Sequence, residues 1–178
     1  MNLMMRGYMN KARTKYGLPP VKDIWEHWLG DDVVLACDKE INAARENSAF
    51  AFTQTGFMLL PSKTELPRSV EDFLNSGKPP VYIGFGSNPI TKVEKYETWF
   101  RQIRDATGQR LIISKGWAGF TGENVKDILY VEELSFDLLF PRLAAAIYHG
   151  GTGTLAALAR AGIPQAAFPF MGDQFDNR

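Results

Sequence analysis

The spacing of apolar and polar positions divides the chain near residue 69. Before that point the pattern is uneven. The first residues read as a helix that stops ahead of Gly17 and Pro19-Pro20, because proline cannot continue it. Residues 21–30 read as a short helix with Trp25 and Trp28 on one side. Val33-Val34-Leu35-Ala36-Cys37 reads as a buried strand. Residues 38–68 read as irregular, with an apolar stretch near 49–60 and prolines at 61 and 67, so a packed linker is expected there.

From Ser69 onward short apolar runs alternate with helical stripes. Ser69 and Asp72 form a capping-box pattern for a helix ending at Gly77. Thr91 and Glu94 form a second, ahead of a helix with Val93, Tyr96, Phe100 and Ile103 on one stripe and Gly108 at its end. Strands are expected at 81–86, running into a glycine turn, and at 111–113, 128–131, 144–148 and 165–168, with a short helix near 136–143 and an alanine-rich one from the glycines at 150–153 to Arg160. Each run is short and apolar on both faces. That predicts an α/β fold, an open parallel sheet with helices on both sides. The last residues, 171–178, carry no terminating feature, and such a sheet calls for a further helix, so a chain cut short is expected.

Composition narrows the function. The 178 residues carry 20 Lys+Arg and 20 Asp+Glu, and residues 1–78 and 79–178 hold ten of each sign apiece. That balance argues against nucleic-acid binding driven by net charge. One cysteine, Cys37, excludes an internal disulfide and a cysteine-based zinc site, and two distant histidines argue against a His-rich metal site. No apolar run reaches the membrane-spanning length of about 18 residues. The N-terminus has no secretory stretch, so a cytoplasmic protein is expected. The basic segment Arg6, Lys11, Arg13, Lys15 reads as a solvated face, with peripheral membrane contact as its alternative.

Two glycine turns carry the candidate chemistry: Gly84-Phe85-Gly86-Ser87-Asn88 and His149-Gly150-Gly151-Thr152-Gly153-Thr154. Both follow strands, at the edge where open α/β sheets bind ligands. The helix after the second offers free N–H groups and a positive dipole end to an anion, and the threonines offer cap or phosphate contacts. A diphosphate is the expected guest, with His149 as a donor to it. The dinucleotide pattern fails at Pro89, and no phosphate-binding P-loop motif occurs. Asp173-Gln174 falls at the same edge, where a carboxylate and an amide can bind sugar hydroxyls.

PPVYIGFGS (79–87), GW (116–117) and the 36 residues from Leu139 to Gln174 resemble the C-terminal, donor-binding domain of UDP-sugar glycosyltransferases. The likeness is nearest to the sterol, lipid and antibiotic glucosyltransferases. Residues 1–65 resemble, more weakly, the end of that family's acceptor domain plus the interdomain linker, and 66–178 the donor domain, incomplete at its C-terminus. The resemblance implies one Rossmann-like half of a GT-B fold. It also implies transfer of a hexose, glucose first, from a UDP-sugar to an acceptor hydroxyl of a sterol, lipid or other small hydrophobic molecule, with inversion. The UDP-sugar is a co-substrate; no cofactor or essential metal is implied.

By position the resemblance assigns Gly86, Ser87, His149, Gly151, Thr152, Gly153 and Thr154 to the diphosphate. It assigns Trp117 and Leu134 to the nucleobase side and Asp173 and Gln174 to the sugar. Tyr148 stands where the family often has a first histidine, Ser135 where many have proline, and Ala157 where some place a ribose-binding Glu. The general base belongs to the N-terminal domain, so no catalytic residue is expected in residues 1–178, which should bind donor and transfer little sugar. His27 matches no such base and reads as structural. The alternative is a non-catalytic nucleotide-sugar-binding subunit needing a partner chain; a nucleotide-sugar epimerase is a weaker third reading, lacking acid/base residues near the turns.

Overall fold

A computed structural model describes residues 2–43, 51–60 and 64–177. The chain falls into two compact units, Met1–Leu59 and Leu60–Arg178.

In the first unit, α1 (Asn2–Lys15) ends as expected before Gly17. The Asn10 side chain donates to the Val21 carbonyl (3.0 Å) and accepts from the Val21 N–H (2.8 Å), which fixes the turn after the helix. In α2 (Ile24–Leu29), Asp23 caps the N-terminus and Trp25 meets Trp28 edge-on at 5.7 Å. His27 Nε2 lies 3.3 Å from Arg13 Nη1 on exposed surface. Two sequence expectations change here. β1 (Val33–Ala36) pairs in parallel with a second strand, β2 (Phe52–Thr55), inside the stretch read as linker. β1 is also not buried: Val34 is 51% exposed, because this sheet has only two strands among the described residues. Pro61 and the start of the apolar stretch, residues 49–50, lie outside the described residues.

The second unit is a five-stranded parallel sheet in the order β5-β4-β3-β6-β7. Its strands are β3 (Val81–Gly84), β4 (Leu111–Ser114), β5 (Ile128–Val131), β6 (Ala145–Tyr148) and β7 (Gln165–Ala167). Side chains alternate between two buried layers. Tyr82, Ile112, Leu129, Ala146 and Tyr148 face α3 (Arg68–Asn75), α5 (Phe136–Leu139) and α6 (Thr152–Ala161). Ile83, Phe85, Ile113 and Ile128 face α4 (Val93–Thr107) and the segment around Phe120. The apolar runs are therefore apolar on both sides because helices cover both.

Neither capping box forms. α3 starts after Pro67 and α4 after Lys92, and neither has a side-chain cap. The helix ends were legible: Gly108 and Gly162 close α4 and α6 in the left-handed conformation.

The topology places the site. The chain runs β3, β4, β5 in one direction, then crosses back to set β6 on the other side of β3. Right-handed crossovers make the connections leaving β3 and β6 diverge, which opens a crevice at the carboxyl ends of these two strands. Both glycine turns leave from there.

Candidate functional site

β3 ends in Gly84 and the chain turns at Gly86, whose φ of +58° suits glycine alone. β6 ends in Tyr148, and Gly150 turns the chain into α6 with φ +87°. The two corners share one rim. The His149 imidazole lies between them: a Cβ on Gly86 would stand 2.7 Å from its Cε1, and one on Gly151 would collide with its Nε2. A third turn joins, where the Trp117 N–H donates to the Gly86 carbonyl at 3.0 Å.

These turns bound a cavity of about 380 Å³, a size typical of small-ligand sites. Its lining comes from four strands: Tyr82, Gly84, Gly86 and Ser87 from β3 and its turn, His149 and Thr154 from the turn after β6, Ser114, Gly116 and Trp117 from β4 and its turn, and Val131, Glu132, Glu133, Leu134 and Phe136 from β5 and the segment after it. Trp117 is 76% exposed, a flat indole held at a cavity mouth by its own backbone. Leu134 packs partly buried on the core. Glu132 pairs with Lys115 at 3.0 Å.

His149 is half-buried, and its Nδ1 is buried without a hydrogen-bond partner among the described residues. Burial pushes its pKa below the ordinary 6.5, opposed by the Gly84 backbone and the charge of Asp173. A neutral imidazole thus faces the cavity, ready to be drawn toward the cation by an anion. Beside it, α6 begins at Gly151 with no side-chain cap, so its first-turn N–H groups add a positive end.

The remaining sites expected from sequence lie around the cavity, not on its wall. Gly151, Thr152 and Gly153 form the start of α6. The Thr152 hydroxyl donates to Asp173 Oδ2 (3.3 Å) and accepts from Asn177 Nδ2 (3.2 Å), so it is engaged on its outer side. Asp173 and Gln174 sit in a 3-10 turn, Gly172–Phe175. Asp173 is exposed. Gln174 is buried, and its Oε1 accepts from the N–H groups of Phe170 (2.8 Å) and Met171 (3.2 Å). That amide oxygen holds the turn together. Ala157 packs on the core. Tyr82, Ser114, Phe136 and Glu132 were missed as site residues. Ser114 and Glu132 fall at or just past strand ends, which was their one sequence signal, whereas Tyr82 lies inside β3 and Phe136 opens α5. Among the described residues no group of three or more His, Cys, Asp or Glu gathers as a metal site, and no helix is long and apolar enough to cross a membrane.

No protein-family model matches the chain. Curated relatives do. It is 38% identical over 169 residues to the vancomycin aglycone glucosyltransferase of Amycolatopsis orientalis, covering 94% of this chain and 41% of that one. To glycosyltransferase GtfE of the same organism it is 38% identical over 167 residues, covering 93% and 40%. The chain belongs to the glycosyltransferases.

It is also 40% identical over 120 residues to the sterol 3-beta-glucosyltransferase UGT80A2 of Arabidopsis thaliana, covering 66% of this chain and 19% of that one. The chain spans about 40% of the length of the antibiotic relatives. Among solved structures, the spinosyn forosaminyltransferase SpnP superposes with a TM-score of 0.64 at 16% identity, covering 97% of this chain and 44% of that one. SnogD from Streptomyces nogalater gives 0.61 at 19%, covering 97% and 47%. These likenesses carry the fold: the parallel-sheet unit is a Rossmann-like half of the GT-B architecture.

Proposed function

We propose that residues 60–177 form the donor site of an inverting, cytoplasmic glycosyltransferase that moves a hexose, glucose first, from a UDP-sugar to the hydroxyl of a small hydrophobic acceptor. The observation that carries this reading is the meeting of both glycine corners around His149 at the mouth of one cavity. In this reading the diphosphate lies against Gly86, Ser87, Thr154 and the start of α6. The base lies toward Trp117 and Leu134, and the sugar toward Asp173 and Gln174. The vancomycin aglycone and sterol glucosyltransferases among the relatives support glucose and a hydrophobic acceptor.

The chemistry follows from charge. Attack at the anomeric carbon pushes electrons onto the departing nucleoside diphosphate. Donors already aimed at that anion stabilise it without reorganising, and this reading gives that role to His149, the Thr154 hydroxyl and the α6 amides. Deprotonation of the acceptor needs a general base, which this reading places outside residues 1–178. The reading assigns no metal a role.

The sugar assignment is tested by titrating UDP and UDP-glucose into wild type and Asp173→Ala. UDP affinity should hold within about twofold while UDP-glucose affinity falls about tenfold or more, the worth of one hydrogen bond to a charged group. Loss of UDP affinity with UDP-glucose spared would overturn it. EDTA should change neither titration.

A further inference from the structure

The cavity lining holds a hydroxyl pair, Tyr82 and Ser114, that the assignments above leave unused. Tyr82 is only 4% exposed, yet it lines the cavity. Its ring is clamped edge-on by Phe140 (centroids 5.2 Å apart) and Phe136 (6.2 Å), so the phenol cannot swing. Along a strand, residues two apart share a face. The next residue on Tyr82's face is Gly84, and the absence of a side chain there matters: a Cβ on Gly84 would collide with the Tyr82 hydroxyl. The phenol therefore leans along β3 to the sheet's carboxyl edge. Ser114 pairs with Gly84 from β4 and puts its hydroxyl beside the phenol. Burial pushes the Tyr82 pKa up, and the neighbouring Ser114 hydroxyl opposes that shift.

We propose that Tyr82 and Ser114 hold the ribose of the nucleotide. This rests on the donor-site reading above and deepens it. In the donor-site reading the diphosphate corners leave β3 and β6, and the base-side residues leave β4 and β5. With strands about 4.8 Å apart, the centres of these two pairs lie roughly 10 Å apart. A nucleoside diphosphate laid along that line carries its sugar over β3 and β4, above the two hydroxyls. A vicinal diol needs both a donor and an acceptor, and a phenol beside a serine supplies both. Glu132 is a poorer candidate: its side chain is 76% exposed and already tied to Lys115.

The test compares UDP with 2′,3′-dideoxy-UDP by calorimetry on the full chain. Wild type should prefer UDP about five- to tenfold, the worth of one or two net hydrogen bonds. Tyr82→Phe keeps the ring packing and should shrink that preference to within about twofold, with the whole loss on UDP. Ser114→Ala, at a less buried position, should act in the same direction and carries the test if Tyr82→Phe lowers the melting temperature. His149→Ala should weaken both ligands alike and leave the preference intact. A wild-type preference of one, or one unchanged in both hydroxyl variants, overturns the inference while the His149 result upholds the donor site. Equal loss of both ligands in Tyr82→Phe also overturns it, pointing to a phosphate contact. Failure of wild type to bind either ligand overturns the donor-site reading and this one together.

Discussion

His149 is held in a protonation state that a bound diphosphate would reverse. Its folded pKa lies below 6.5 because burial disfavours the imidazolium. As pH falls through 6.5 the unfolded chain takes up a proton that the folded chain resists, so His149 weakens the fold on the acid side and is silent above neutrality. An anion against the ring acts oppositely and raises the pKa. Binding near pH 6.5 should therefore draw a proton onto the protein. Titrating UDP in buffers of different ionisation enthalpy reads that proton directly. Wild type should take up more than His149→Gln, in which the nucleotide's own proton changes remain. Equal uptake in the two proteins would mean the ring does not meet the phosphates. The sequence placed this histidine correctly beside the glycines, since strand-end residues are fixed by chain order. It did not show Tyr82 as a wall of the cavity. That follows from Gly84 being bare and from the register with β4, and neither is visible in a single strand read alone.

At the scale of elements, the five strands and the helices between them were legible because each strand is a short apolar run bounded by glycine, proline or charge. The misses have physical causes. β2 holds one large apolar residue, Phe52, and gains its identity from parallel pairing with β1. Arg110, which no sequence pattern marks, is only 8% exposed. Its guanidinium lies over the Phe73 ring and donates to the Ser76 hydroxyl and the Lys78 carbonyl, partners 32 to 37 residues away. The expected caps failed because the helices start one or two residues from the anticipated positions, at Pro67 instead of Ser69 and at Lys92 instead of Thr91. Ser69 lies inside α3 and makes no cap bond, so Ser69→Ala should move stability by no more than about 0.5 kcal/mol. Leu158 of α6 is fully buried against the sheet, and Leu158→Ala should cost about 2–5 kcal/mol through lost transfer energy and a cavity. Chemical denaturation measures both. A large Ser69 effect would restore the cap, and a small Leu158 effect would contradict the packing of α6 that aims its N-terminus at the cavity.

At the scale of the whole molecule, the balanced charge leaves no general field to attract an anion. Binding must come from local devices: two backbone corners, one imidazole and one uncapped helix start. The account therefore stands on whether a nucleoside diphosphate binds there. Calorimetric titration of UDP into wild type, His149→Ala and His27→Ala tests this most directly. Wild type should bind, His149→Ala should bind about tenfold more weakly, and His27→Ala should match wild type, since only the first imidazole can make a charge-assisted bond to phosphate. Binding that both substitutions weaken equally, or that neither changes, would contradict the site.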